Sequence, residues 1–153
     1  MYHLKNGNLI YRRNECRVDT THRMPEKSRT VADVMTRNVV TVSPSHTLTE
    51  ILNLKASNSS RHYVVVGSPR RLLGVISDED VLRALAGEGN WQNLHADELM
   101  SRDVIPVGPT TDLTFATTVM QSEGFDCLPV VDDQGDVCGL LSLSDLLKIY
   151  REL

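Results

Sequence analysis

Two short stretches carry side chains that could meet a ligand. Residues 74–80 read Gly-Val-Ile-Ser-Asp-Glu-Asp, and residues 139–145 read Gly-Leu-Leu-Ser-Leu-Ser-Asp. Each is a glycine, two apolar residues, then Ser-x-x-Asp. That spacing supports two chemistries. A serine just before a helix, with an acid three residues on, forms a capping box in which side chains and backbone N–H groups satisfy one another. Such a cap is worth about 0.5–2 kcal/mol. Alternatively, a carboxylate in the first helical turn that faces a cleft can accept both hydroxyls of a ribose. The free N–H groups there, aided by the helix dipole, favour a phosphate nearby. The pattern leaves both readings open, and for the serine they can coexist.

The elements that must position these residues are themselves repeated. Sliding residues 31–88 by 65 positions matches the chain to itself without a gap. Met35 falls on Met100, Arg37 on Arg102, Val39 on Val104, Val42 on Val107 and Pro44 on Pro109. Gly74, Ser77 and Asp80 fall on Gly139, Ser142 and Asp145. A constant offset with glycine, proline and charged positions in phase marks an internal duplication.

Each copy reads β-α-β-β-α. Residues 39–42 and 104–107 are predicted as short strands closed by Pro44 and Pro109. Residues 47–59 and 112–123 carry apolar positions at helical spacing. Residues 63–66 and 128–131 are continuous apolar runs of the buried-strand type, and 72–76 and 137–141 are third strands. The last helices are expected to turn Val81, Leu82 and Leu85, and Leu146, Leu147, Ile149 and Tyr150, inward. One such unit cannot bury two apolar helices. Two copies related by a pseudo-two-fold axis can, with sheets facing and helices outside. The expected organisation is a basic N-terminal extension over 1–30 (poorly structured or a packing arm), repeats over 31–88 and 96–153, and a linker over 89–95.

Composition narrows the function classes. Hydrophobic content of 41% and charged content of 24% suit a soluble globular protein. No apolar run reaches the ~18 residues of a membrane span, and charge interrupts the N-terminus too often for a secretory signal. A cytoplasmic protein is expected. Residues 1–30 carry seven Lys/Arg and three Asp/Glu, net +4, whereas the remaining nine and seventeen give −8. An acidic body argues against non-specific nucleic-acid binding. Cys16, Cys127 and Cys138 are odd in number and lack ligand spacing, so neither a zinc site nor a disulfide framework is expected. No nucleophile elbow, glycine-rich phosphate loop or His-Glu-x-x-His occurs. His46 and His95 lie near Glu50 and Asp97, as on solvated helix faces. An enzyme is not expected.

The doubled unit, with "VMTRNVVTVSP", "RHYVVV" and "GVISDED", then "LMSRDVIPVGP", "DCLPVVDDQG" and "GLLSLSD", resembles a tandem pair of CBS domains. The resemblance covers residues 31–153. It implies a regulatory module that binds an adenosine-containing ligand between the copies: AMP, ADP or ATP, with S-adenosylmethionine or NAD as further members. No required cofactor is implied. In a first cleft Asp145 would hold the ribose, with Ser142 and Ser144 at the helix start. Val39, Ser60, Arg61 and His62 would line the adenine side, and Arg37 could meet phosphate. In a second cleft Asp80 and Ser77 would face Val104, Phe125, Asp126 and Cys127. Phe125 could stack on a base or be an ordinary core aromatic. Asp78, Glu79 and Asp126 crowd that cleft with negative charge, so the Asp145 cleft ranks first and the second suits a nucleoside or a cation-bearing ligand. Asp145, expected near the surface, should be removable with little loss of fold. The resemblance also implies a homodimer through the repeat helices and an effector protein. Two alternatives stand beside the sensor: an assembly module without a nucleotide, and a nucleic-acid regulator using residues 1–30 as its arm.

Overall fold

The computed structural model describes Tyr2–Lys5, Asn8–Tyr11 and residues 29–151. The two N-terminal segments, β1 (Tyr2–Lys5) and β2 (Asn8–Tyr11), pair antiparallel with Tyr2 opposite Tyr11. The expectation for residues 1–30, a poorly structured extension or a packing arm, names no strand pair. The signal was Asn6-Gly7 between two short apolar stretches, a strong hairpin dipeptide.

The first repeat contains α1 (Val31–Val34), β3 (Thr41–Val42), α2 (Leu48–Ser57), β4 (His62–Val66), β5 (Leu72–Ser77) and α3 (Asp78–Ala86). β3 runs parallel to β4, and β5 antiparallel to it. After a 3-10 turn at Trp91–Asn93, the second repeat contains α4 (Ala96–Leu99), α5 (Leu113–Glu123), β6 (Cys127–Val131), β7 (Val137–Ser142) and α6 (Leu143–Arg151). Alternation along β4 explains the layering. Tyr63 and Val65 pack with Leu48, Ile51 and Val81 of the covering helices. Val64 faces the other way and meets Val131, Val137 and Leu140 of the second repeat. The duplicated α/β units therefore place sheet against sheet with helices outside. Even the bulges repeat, at Val65/Val66 and Val130/Val131.

The short helices α1 and α4 were not foreseen, and each packs on the other copy. Val31 and Met35 join the core around Leu128, Val130 and Leu141. Ala96 joins the core around Tyr63, Val65 and Ile76. Backbone bonds exchange in the same paired way: Val31 N donates to Thr111 O and Ala96 N to His46 O, while Thr36 pairs with Leu140 and Ser101 with Val75. These crossings explain the repeated glycine. A Cβ at Gly74 would lie 2.7 Å from Ser101 O, and one at Gly139 would lie 2.6 Å from the Met35 sulfur.

Two expectations need correction. Residues 104–107 form no strand; only Val107 bridges β6, through bonds to Pro129 and Val131. Pro106 has no N–H to extend the pairing. Leu82, Leu85 and Leu147 are not inward: they are 65%, 38% and 48% exposed, and Leu143, one turn before Leu147, is exposed too. Their sheet-facing neighbours Val81 and Leu146 are buried. The side chain of Tyr150 lies outside the described residues. Among the described residues, no helix is long and apolar enough to cross a membrane.

Candidate ligand cleft

α6 begins directly after β7, so Ser142 ends a strand and Asp145 sits in the first helical turn. The capping box is present. Ser142 N and Oγ both donate to Asp145 Oδ2, at 2.8 and 2.9 Å, and Asp145 N donates to Ser142 Oγ at 3.3 Å. The Thr36 hydroxyl, from the other repeat, donates to Oδ1 at 2.8 Å. Asp145 is 4% exposed, which corrects its expected place near the surface. A carboxylate offers about four lone-pair sites. Oδ2 has both of its sites filled, and Oδ1 keeps one free.

A cavity of about 340 Å³ opens on this carboxylate, within the size range of small-molecule sites. Seven of the predicted residues line it: Val39, Ser60, Arg61, His62, Ser142, Ser144 and Asp145. Arg37 does not. Its guanidinium turns back to donate to the Ala32 carbonyl at 3.3 Å. Thr36, Asn38, Val40, Asn58, Ser59, Leu140 and Lys148 also line it, beyond the residues expected from sequence. Lys148 was discoverable: it stands three residues after Asp145, on the same side of the helix. Thr36 and Asn58 come from the first repeat, and no local pattern points to them. A smaller cavity of about 210 Å³, between Ile105–Gly108 and Val131–Asp133, holds none of the predicted residues.

The second predicted set is arranged differently. Asp80 closes the same box, accepting from Ser77 N and Oγ at 2.8 and 3.0 Å. Its other oxygen meets Arg83 Nη1 at 3.3 Å on its own helix, not a residue of the other repeat. Asp78 is ion-paired with Lys55. Phe125 packs against the second repeat's core. Val104 is half-buried in a segment without regular structure. Asp126 and Cys127 meet a residue assigned to the first cleft: His62 Nε2 lies 3.1 Å from Asp126 Oδ2. Burial, with the charges of Asp126 and Asp80, pushes the Cys127 thiol up to about 12. A thiol held protonated is a poor nucleophile, so these three residues do not form an activated cysteine site.

The chain matches the CBS domain family twice, over residues 31–87 and 96–152. Among curated proteins it is 30% identical over 116 residues to the homoserine O-acetyltransferase of Methanococcus vannielii; the match covers 76% of this chain and 24% of that protein. The chain thus spans about a quarter of that relative. Among solved structures, CBSX2 in complex with AMP is similar at 26% identity and a TM-score of 0.71, covering 80% of this chain and 96% of that one; CBSX2 comes from Arabidopsis thaliana. The cytosolic domain of the Mg2+ channel MgtE in complex with ATP is similar at 27% identity and a TM-score of 0.67, covering 78% of this chain and 48% of that one.

Proposed function

The chain belongs to the CBS-domain family, and from that premise we propose that it is a ligand-sensing regulatory module that binds an adenosine nucleotide of the AMP, ADP or ATP class in the Asp145 cleft. The observation that carries the reading is the free lone pair on Asp145 Oδ1, in a cavity that also holds Arg61 and Lys148. One ribose hydroxyl can donate to that oxygen directly. A second can do so only if Thr36 gives way. Lys148 and Arg61 supply the positive charge that a phosphate needs. The likeness to CBSX2 in complex with AMP and to the cytosolic domain of MgtE in complex with ATP supports the nucleotide class. Arg37 has no part in the reading.

Regulation, not catalysis, is the proposed role, because among the described residues no nucleophile stands activated beside a base. Binding would draw the two repeats together, since the cleft takes Thr36 and Ser60 from one copy and Asp145 and Lys148 from the other. A ligand that prefers the closed arrangement shifts the population towards it. The exposed Leu82, Leu85, Leu143 and Leu147 support a homodimer as the assembly that reads this shift, or an effector that takes the same face. The acidic body supports a protein that does not engage nucleic acid, and a cytoplasmic location is part of the same proposal. Titration calorimetry with AMP, ADP and ATP tests the proposal. Saturable binding that weakens tenfold or more in Asp145→Ala supports it, and binding unchanged in that variant contradicts it.

A further inference from the structure

We propose that His62, Asp126 and Cys127 form a site for a divalent transition-metal ion of the zinc class at the seam between the two repeats. His62 opens β4 of one repeat, and Cys127 opens β6 of the other. Their ligand atoms and a carboxylate oxygen of Asp126 all lie within 4.8 Å of one another. Around a tetrahedral ion with bonds of about 2.0–2.3 Å, ligand atoms stand roughly 3.3–3.6 Å apart. The His62–Asp126 separation of 3.1 Å is close to that spacing. The Cys127 sulfur stands within 4.8 Å of the other two atoms, and an ion would draw it in.

The donor set suits the ion. Imidazole, thiolate and carboxylate are the ligand types zinc takes, and the mixture excludes magnesium and calcium, which take oxygen. One thiolate and one carboxylate neutralise the 2+ charge. The negative charges of Asp126 and Asp80 act on Cys127, and the same field favours a cation. On binding, the Cys127 S–H bond breaks, the sulfur–metal bond forms and the proton leaves to solvent. Three protein ligands leave one tetrahedral position open, and Asp126, 66% exposed, shows that water reaches it. The sequence argues against zinc because no ligands are spaced as a motif. Fold symmetry, not spacing, brings these three together: Arg61 and His62 occupy the positions equivalent to Asp126 and Cys127.

An ion held here would tie β4 to β6 through His62, a residue that also lines the Asp145 cleft. The experiment is a Co2+ titration of the full chain followed by absorption. The expected result is one cobalt per chain with a thiolate-to-cobalt charge-transfer band. That band is lost in Cys127→Ser and kept in Cys16→Ser and Cys138→Ser. Asp126→Asn, at an exposed position that does not threaten the fold, lowers cobalt affinity by about tenfold or more. No thiolate band in the wild type, a band that survives Cys127→Ser, or an Asp126→Asn affinity equal to wild type overturns the proposal.

Discussion

The Thr36 hydroxyl donates to Asp145 Oδ1 at 2.8 Å across 109 residues of sequence. A single side-chain bond thereby joins the end of one repeat's first helix to the start of the other repeat's last helix. The equivalent carboxylate, Asp80, is held instead by Arg83 on its own helix. The duplication is symmetric in backbone, and asymmetric at the two carboxylates.

Asp145→Ala therefore does two things. It removes the cap of α6 and leaves the Thr36 hydroxyl without its partner. The expected loss is about 1–3 kcal/mol of stability, or a melting temperature lower by roughly 2–4 °C for each kcal/mol. Thr36→Val, which leaves the capping box in place, is expected to lose only about 1 kcal/mol. Thermal melts of the two variants without ligand check the order.

Gly139→Ala and Gly74→Ala each force a methyl group against the other repeat, at the Met35 sulfur and at Ser101 O. Each is expected to destabilise by about 1–3 kcal/mol, as overpacking does. The two losses should be similar because the surroundings are copies. Urea denaturation of both variants measures this; a neutral Gly139→Ala contradicts the packing of α1 against β7.

Tyr63 is fully buried, and among the described residues its hydroxyl is the buried side-chain polar atom without a hydrogen-bond partner. Burial also raises its pKa. An unmade bond in the core is a standing loss, so Tyr63→Phe should be neutral or stabilising by up to about 1–2 kcal/mol. Equilibrium unfolding decides it, and a destabilised variant would mean that the hydroxyl has a partner after all.

Cys127 is expected to shape the alkaline limb of stability. Its pKa rises from 9.0 to about 12 on folding, chiefly through burial. The unfolded chain thus loses this proton before the folded chain does. The contribution to stability is fully present below pH 9 and is lost as pH rises from 9 towards 12. Urea midpoints for metal-free protein should fall over that window, and fall less in Cys127→Ser. Equal slopes in the two proteins would contradict it.

The internal repeat made the fold legible. One offset predicts two β-α-β-β-α units, and the last helix expected around Val81 and Leu85 is α3, Asp78–Ala86. The caps were legible too, because Ser-x-x-Asp acts within four residues. What the chain did not disclose is what happens across the pseudo-two-fold axis. α1 was missed because four residues carry no period, and because Val31 and Met35 are buried by the other copy. Leu82 and Leu147 were misplaced because a helical period marks a residue as apolar without showing whether anything covers it. His62 and Asp126 were assigned to different clefts, yet they meet, since order along the chain does not reveal which strand starts lie side by side.

The most direct test is the melting temperature with and without millimolar AMP, ADP and ATP, for wild type, Asp145→Ala and Asp80→Ala. A ligand at a hundred times its dissociation constant adds about 2.7 kcal/mol, or roughly 5–10 °C for a chain of this size. The expected result is a rise with at least one nucleotide in wild type and Asp80→Ala, and none in Asp145→Ala. A rise that persists in Asp145→Ala, or no rise with any of the three nucleotides, would contradict the Asp145 cleft as a nucleotide site.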